Sequence, residues 1–124
     1  MSDEDLRWLF NESTDESCAL SELRAIANAE LLILTRGSKG SSIWHNDKWY
    51  AAPAYPVDKL SDTVGAGDTF MASVLVWLIK NENMKRLGVL ELKEKQYLQY
   101  YASKAASLNC NKQGCNPPWE NELS

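Results

Sequence analysis

The stretch that decides the fold reads Asp62-Thr63-Val64-Gly65-Ala66-Gly67-Asp68-Thr69-Phe70. Two glycines bracket an alanine, an aspartate follows, and an apolar helical pattern then begins. Glycine lets the backbone turn sharply and come close to a ligand. The amides of such a turn and the positive end of the following helix dipole together favour an anion such as phosphate. The stretch therefore predicts an anion site at a helix N-terminus.

Asp68 allows two interpretations at this position. Its carboxylate could accept a proton from an attacking hydroxyl beside the anion, as phosphoryl transfer requires. It could equally be an ordinary N-cap, since aspartate and glycine are common at helix starts. Taken alone, a Gly-x-Gly-Asp sequence favours the structural interpretation.

Composition limits the possible classes of protein. The chain has 124 residues, of which 44% are hydrophobic and 24% charged, with a net charge of −4, as expected for one ordinary domain. The absence of a basic cluster argues against nonspecific nucleic-acid binding. No apolar run reaches the roughly 18 residues that suggest a membrane span, and the longest, Phe70 to Ile79, predicts a buried helix. The acidic N-terminus shows no secretory signal, so we expect a cytoplasmic protein.

The cysteines and the single histidine predict no metal centre. Cys18, Cys110 and Cys115 cannot all pair within one chain, and Cys110 and Cys115 lack the second Cys/His pair of a zinc site. We expect reduced thiols. His45 precedes a predicted turn and is expected to be a surface residue of a hairpin.

Helices and apolar strands follow one another along the first half of the chain. A helix is predicted after Ser2, and residues 11 to 15 are polar and turn-rich. Residues 31 to 35 form a continuous apolar run, which is typical of a strand buried on both faces, as in a parallel sheet covered by helices. A hairpin is predicted around Asn46-Asp47, leading to a strand over 48–52. A second helix is predicted from Glu16 to Asn28, with an apolar face of Leu20, Leu23, Ile26 and Ala27.

The second half is predicted to be mostly helical. One helix is expected from about Thr69 to Lys80, a short one near Met84 to Leu90 and a long one from Glu94 to Leu108, followed by a tail over 119–124 that packs or frays. The order of elements implies an α/β layer arrangement. The long helix has an apolar face for core packing, formed by Tyr97, Leu98, Tyr101, Ala102, Ala105 and Leu108.

A glycine-rich turn follows the apolar strand directly, with the spacing Thr35-x-Gly37-x-x-Gly40. Ligands of open α/β sheets bind outside the carboxyl ends of strands, so the position suits a nucleotide. The pattern is also typical of an ordinary connection between two strands.

The nine residues from 62 to 70 resemble the second signature of the ribokinase-like (PfkB) carbohydrate and nucleoside kinases. They match its Asp-Thr-x-Gly-Ala-Gly-Asp-x-Phe pattern throughout. The resemblance implies that Asp68 is the catalytic base and that the amides of Gly65, Ala66 and Gly67 form the anion hole. It thereby favours the catalytic interpretation of Asp68.

Two other segments carry the resemblance further. The turn after the strand is similar to the family's nucleotide loop, with Arg36 or Lys39 adding positive charge. Residues 109 to 118 partly match a segment that closes over adenine, where Asn111 replaces threonine, Lys112 arginine and Cys115 alanine. The resemblance assigns ATP binding to Thr35, Gly37, Ser38, Gly40, Gly67, Asn109 and Gly114. It assigns a monovalent cation, K⁺, to the backbone carbonyls of Asp62, Val64, Asn109, Lys112 and Gly114.

The resemblance implies the C-terminal part of a ribokinase-like three-layer α/β/α fold, with residues 1–124 as its nucleotide-binding and catalytic portion. ATP and Mg²⁺ are the implied cofactors. The opening Ser2-Asp3-Glu4-x-Leu6 is similar to fructokinases, so fructose is the first expected acceptor, with ribose, another ketose or a nucleoside as alternatives. The family's sugar-contact motif, its lid and its Asn-x-x-Glu motif are expected to lie outside this chain, with Met1 an internal methionine or the start of a shortened product. We therefore expect the chain alone to bind nucleotide weakly and to turn over little sugar.

Two alternatives remain at this point. The chain could be a noncatalytic nucleotide-binding or interaction fragment, or a purely structural α/β domain in which the signature is accidental. The sequence does not decide its oligomeric state.

Overall fold

A three-stranded sheet lies between two pairs of helices. The computed structural model describes residues 1–11 and 14–123. Its helices are α1 (Asp3–Phe10), α2 (Glu16–Ala27), α3 (Ala66–Lys80), α4 (Leu92–Cys110) and α5 (Glu120–Leu123). Its strands are β1 (Leu31–Thr35), β2 (Ser41–His45) and β3 (Lys48–Ala52), and 3-10 turns cover Gly37–Lys39 and Asn83–Val89.

Strand β1 is covered by helices on both faces, as predicted. Leu34 packs on one face with Leu6 of α1 and Leu20 of α2. Leu31 and Ile33 pack on the other face, against the core that α3 and α4 form. Because successive side chains of a strand point to opposite faces, one short strand joins two separate cores.

The sheet itself is antiparallel, which corrects the parallel arrangement expected from the apolar run. Strand β2 pairs with both β1 and β3, and Ile43 lies opposite Ile33 and Tyr50. The connections are too short for parallel pairing, which needs a crossover of a dozen or more residues. The β2–β3 turn consists of Asn46 and Asp47, both at positive φ, which confirms the predicted hairpin. Within the described ranges, the one parallel bridge joins Ser2 to Thr35.

Helices α1 and α2 begin where the sequence predicts. Ser2 and Asp5 cap α1 reciprocally, and Asp15 caps α2. The predicted inward face of α2 is partly wrong, because Ile26 is 75% exposed and only the earlier residues Ala19, Leu20 and Leu23 reach α1 and β1. Of the predicted turn over 11–15, residues 12 and 13 lie outside the described ranges, as does residue 124 of the tail.

Helices α3 and α4 build the larger core beneath the sheet. Both are longer than predicted, since α3 begins at Ala66 rather than Thr69 and α4 extends from Leu92 to Cys110. Helix α3 is buried on one face only: Leu75 and Ile79 are 50% and 65% exposed, although a buried helix is predicted over Phe70 to Ile79. Tyr97 of α4 is likewise exposed. Of the helices in the described ranges, none is long and apolar enough to cross a membrane. The buried members of this core are Ile43, Phe70, Val74, Trp77, Leu78, Leu90, Leu98 and Ala102.

His45 is completely buried, which corrects its expected place on the surface. Alternation along β2 turns its side chain toward α4, where Nδ1 lies 3.1 Å from Nζ of Lys95. Its Nε2 lies 2.5 Å from the carbonyl oxygen of Leu87. Since a carbonyl can only accept, Nε2 carries the proton and Nδ1 accepts from Lys95. His45 therefore has a structural role between the sheet and α4.

Gly40 closes the β1–β2 turn in a conformation that other residues rarely adopt. Its φ is +97°, and a Cβ at this position would lie 2.1 Å from the carbonyl oxygen of Ala52. We expect Gly40→Ala to lower the free energy of unfolding by about 2–4 kcal/mol, since it adds both backbone strain and a backbone clash. Chemical denaturation would measure the loss.

Gly88→Ala provides the matched control. Gly88 has no positive φ, and a Cβ there meets no other described residue within 4 Å. We expect a change of less than about 0.5 kcal/mol. Equal losses in the two variants would contradict the assigned role of Gly40.

Candidate active site

Helix α3 begins at a turn that only glycine fits. Gly65 has φ +78° and is the N-cap, and its carbonyl accepts the first helical hydrogen bond from Thr69 N at 2.8 Å. A Cβ on Gly65 would lie 2.3 Å from Sγ of Cys115. Cys115 belongs to the segment after α4, which is distant from Gly65 in the sequence. The start of α3 therefore requires a residue without a side chain at position 65.

The first turn of α3 presents unpaired amides. Helices leave their first N–H groups without intrahelical partners, and in the described part of the chain the amides of Gly65, Gly67 and Asp68 donate no hydrogen bond. The amide of Ala66 differs, because it donates to the carbonyl of Thr63 at 3.2 Å. The structure thus offers the amides of two predicted anion-hole residues. It adds the amide of Asp68, which the sequence analysis had considered only as a side chain.

Asp68 is in the first turn of α3 and is not its N-cap, so the N-cap interpretation of this residue is wrong. Gly65 occupies the capping position, and no side chain of the described residues caps the helix. Asp68 is exposed, and its side chain lines a cleft of about 330 Å³ between α3 and the segment after α4. The carboxylate is therefore accessible to a ligand and lies beside the free amides.

The cleft beside Asp68 has mainly apolar walls. Ala72 and Val76 line it from α3, and Tyr101, Pro117 and Pro118 line it from the opposite side. Its volume is at the lower end of the range of small-molecule pockets. Burial raises the pKa of the Tyr101 phenol, and the nearby carboxylate of Glu120 adds to the effect. Tyr101 therefore stays uncharged near neutral pH.

Asp62 joins the signature to the segment after α4. Its Oδ1 accepts from Val64 N at 2.9 Å, and its Oδ2 accepts from Gly114 N at 3.1 Å. The second bond connects residues 52 positions apart. Hydrogen bonds to an ionised acceptor are the stronger kind. We call the contact between residues 61–65 and 109–116 the loop junction.

Asn109 lies at the centre of the loop junction and is completely buried. Its Nδ2 donates to the carbonyl of Val64 at 2.8 Å, and its Oδ1 accepts from Asn116 N at 2.9 Å. Because both polar ends of the side chain are bonded within the protein, the side chain itself is not available to a nucleotide. The family resemblance assigned Asn109 to ATP binding, and the sequence carries no sign that its amide is paired within the protein.

Cys110 completes the loop junction through its backbone. Its carbonyl accepts from the amides of Ser61 at 2.8 Å and Asp62 at 3.2 Å. Burial raises the pKa of the Cys110 thiol, and the negative charge of Asp62 raises it further. All three cysteines are free. Cys110 therefore stays a protonated, structural thiol.

The glycine-rich turn after β1 takes no part in the hydrogen bonds of this junction. Among the hydrogen bonds of the described residues, none joins 35–40 to either loop of the junction. Arg36 donates to Oγ of Ser42 at 2.6 Å and to Oε1 of Glu16 at 2.8 Å, so its charge is already engaged. Lys39 is exposed. Hydrogen bonds thus join the signature to the segment after α4, and the turn after β1 lies outside that network.

Two metal sites are implied, one for a monovalent cation and one for Mg²⁺. The residues expected to hold the monovalent cation lie at the loop junction, where Asn109 bonds to Val64 and Asp62 bonds to Gly114. The described ranges contain no group of three or more His, Cys, Asp or Glu side chains that could hold a metal ion.

Comparison with known proteins identifies the family. The sequence model described as pfkB family carbohydrate kinase matches residues 1–122. The chain belongs to this family. The ribokinase-like fold expected for a pfkB protein is confirmed by its similarity to solved kinases.

Relatives of this pfkB chain include sugar kinases. A fructokinase of Rhizobium leguminosarum bv. trifolii is 34% identical over 93 residues, which cover 75% of the chain and 28% of that protein. A ribokinase structure from Giardia lamblia matches with a TM-score of 0.79 and 20% identity, over 98% of the chain and 40% of the ribokinase. A fructokinase from Vibrio cholerae, solved with fructose, ADP and potassium, matches with a TM-score of 0.71 and 20% identity, over 92% of the chain and 34% of that protein. The pfkB chain thus spans less than half the length of each.

The Asp62 hydrogen bonds predict a measurable effect on the stability of the pfkB chain. Asp62→Ala leaves the amides of Val64 and Gly114 without their acceptor, and we expect the free energy of unfolding to fall by about 1–3 kcal/mol. Urea denaturation would measure it. Asp58→Ala, an exposed change in the same connection, should cost less than about 0.5 kcal/mol. If the two variants were equally stable, the Asp62 bridge would be without energetic consequence.

Proposed function

We propose that the protein is an ATP-dependent phosphotransferase that transfers the γ-phosphoryl group to a hydroxyl of a small sugar, and that residues 1–124 are its nucleotide-binding and catalytic portion. The observation that carries the proposal is local. Three unpaired amides and one accessible carboxylate lie in the same helical turn, at Gly65, Gly67 and Asp68. Phosphoryl transfer needs both an anion site and a proton acceptor beside it.

Asp68 acts as the general base in this mechanism. It takes the proton of the acceptor hydroxyl while that oxygen attacks the γ-phosphorus of ATP, and the bond to the β-phosphate oxygen breaks to release ADP. General-base catalysis of this kind contributes about 10²–10⁴-fold. The position of Asp68 on a rigid helix, one turn from the N-cap, keeps its carboxylate next to the transferring group.

The amides at the start of α3 stabilise the charge on the transferring phosphoryl oxygens. Preorganised donors aimed at developing charge are among the largest contributions to catalysis. Gly65 and Gly67 provide two of these donors, and the helix dipole adds a further favourable field. Ala66 shares its amide with Thr63, so we assign it the smallest part of the predicted anion hole. The Mg²⁺ that accompanies ATP neutralises phosphate charge, and we assign no side chain of this chain to it.

The remaining nucleotide contacts are proposed for two segments. The turn at Thr35, Gly37, Ser38 and Gly40 lies at the carboxyl end of β1, where nucleotides of α/β proteins bind. Gly114 would contribute through its backbone, and Asn109 by holding the loop junction. Residues 109–118 would thereby line the adenine side of the site.

Fructose is the acceptor that we propose first, because the Rhizobium relative is named a fructokinase. Ribose, another ketose or a nucleoside remains the alternative. Positioning of the acceptor is worth about 7–11 kcal/mol, and residues outside this chain would supply most of it. We therefore expect the 124 residues alone to bind nucleotide weakly and to show little turnover. The three free thiols are consistent with the cytoplasm, which we propose as its location.

A noncatalytic nucleotide-binding role is the second candidate. It requires only the unpaired amides of the α3 turn, which could bind phosphate without a bound sugar. The two candidates differ in what Asp68 does. Only the kinase needs its carboxylate for turnover.

Replacement of Asp68 tests the catalytic assignment. In the natural protein that contains this chain, Asp68→Asn should lower kcat by about 10²–10⁴-fold, because the amide cannot accept the proton. The affinity for ATP should stay within about threefold, since no binding group is lost. Coupled ADP-release assays and calorimetry would provide both values. Glu82→Gln, just beyond the C-terminal end of α3, is the control. An active Asp68→Asn enzyme would exclude the proposed base.

Replacement of Gly67 separates binding from stability. A Cβ at Gly67 meets no atom of another described residue within 4 Å, and Gly67 has no positive φ. We expect Gly67→Ala to be as stable as the parent or up to about 1 kcal/mol more stable, because alanine favours helix. The same methyl group would prevent close approach of phosphate, so ATP should bind about tenfold or more weakly. Unchanged ATP affinity in this variant would show that phosphate does not bind at this turn.

A further inference from the structure

The loop junction decides whether the implied monovalent cation fits this chain. The cation would need carbonyl oxygens of the signature and of the segment after α4 to point at a common centre. Carbonyl oxygens bind a cation by replacing its hydration shell. Their lone pairs must therefore face the cation rather than a protein donor. The hydrogen bonds of the junction show which oxygens are available.

The carbonyl of Val64 already has a donor. Nδ2 of Asn109 lies 2.8 Å from it. The orientation of this amide is unambiguous, because the Val64 carbonyl can only accept and the amide of Asn116 can only donate to Oδ1. A carbonyl oxygen has a second lone pair, but a cation on it would lie close to the positively polarised N–H group of Asn109. The Asn109 side chain is completely buried.

The other expected oxygens are also occupied in part. The backbone carbonyl of Asn109 accepts from Lys112 N at 3.1 Å in the turn that ends α4. The carboxylate of Asp62, the negative charge closest in sequence to these carbonyls, binds the amides of Val64 and Gly114 with its two oxygens. Of the five predicted carbonyl ligands, those of Val64 and Asn109 accept from protein donors, and both carboxylate oxygens of Asp62 beside them are engaged as well. These bonds compete with a cation for the predicted ligands, which argues against a cation of the expected kind at this junction.

We propose that Asn109 is a positioning residue that closes the loop junction by hydrogen bonds, in place of a bound monovalent cation. Its Nδ2 group donates a hydrogen bond to the carbonyl oxygen of Val64, and its Oδ1 accepts one from the amide of Asn116. The start of α3 is thereby fixed against residues 111–116 at any concentration of K⁺. This inference rests on the proposed function, because it concerns how the nucleotide site is assembled.

The first test compares the thermal unfolding of the 124-residue chain in KCl, NaCl and choline chloride at equal ionic strength. Ligands that bind only the folded state raise its unfolding temperature in proportion to the logarithm of their concentration above Kd. We expect the same unfolding temperature in the three salts. A stabilisation that is specific to K⁺ and saturates with its concentration would overturn the proposal. No nucleotide is present, so the result is independent of whether the protein is a kinase.

The second test compares Asn109→Ala with Asn111→Ala by hydrogen–deuterium exchange. Asn111 is the matched control, since it makes one longer bond to the amide of Lys59, at 3.3 Å near the surface. Loss of Asn109 should speed exchange about tenfold or more in residues 61–65 and 111–116, the equivalent of losing one hydrogen bond, while β1 to β3 exchange as before. Exchange that rises uniformly over the whole chain, or equally in the two variants, would contradict the positioning role proposed for Asn109.

Discussion

The hydrogen bond from Asn109 Nδ2 to the carbonyl of Val64 holds the start of α3 against the end of α4. The proposed anion site depends on this contact, because the turn that follows Val64 orients the amides of Gly65, Gly67 and Asp68. Both partners are held elsewhere as well, Val64 by the carboxylate of Asp62 and Asn109 by the amide of Asn116. The junction is thus a small closed network rather than a single bond, and buried networks of this kind are worth most when every member is satisfied.

Apolar packing between α3 and α4 stabilises the two helix ends that this hydrogen-bond network joins. Phe70 and Val74 of α3 meet Leu98 and Ala102 of α4 in the larger core, directly after the signature turn. The opposite face of α3 keeps Leu75 and Ile79 exposed. One face of the helix therefore anchors the site to the fold, while the N-terminal turn and Asp68 stay open to solvent.

Local chemistry made much of the fold predictable. The apolar run of β1, the Asn46-Asp47 hairpin and the polar starts of α1 and α2 each depend on a few neighbouring residues, and each was confirmed. The pairing of the strands could not be read in the same way, because an apolar run does not distinguish parallel from antiparallel partners. His45 was misplaced for a related reason: its burial follows from Lys95 and Leu87, which lie far along the chain.

In the candidate site, too, the features that depend on neighbouring residues were predictable, and those that depend on distant residues were not. The signature identified the turn, the glycines and Asp68, since turn geometry and helix capping are local. The roles of Asn109 and Asp62 depend on bonds across 45 and 52 positions, which no local pattern encodes. The free amide of Asp68 follows from the true start of α3 at Ala66, three residues before the predicted start.

The central claim is that phosphate binds at the amides of the first turn of α3. Titration of the ¹⁵N-labelled chain with a nonhydrolysable ATP analogue, followed by two-dimensional NMR, tests it most directly, since weak binding is still visible by this method. The account predicts that the amide signals of Gly65, Gly67 and Asp68 shift together with one apparent Kd, while that of Gly88 does not move. Saturable shifts confined to other parts of the chain would contradict it.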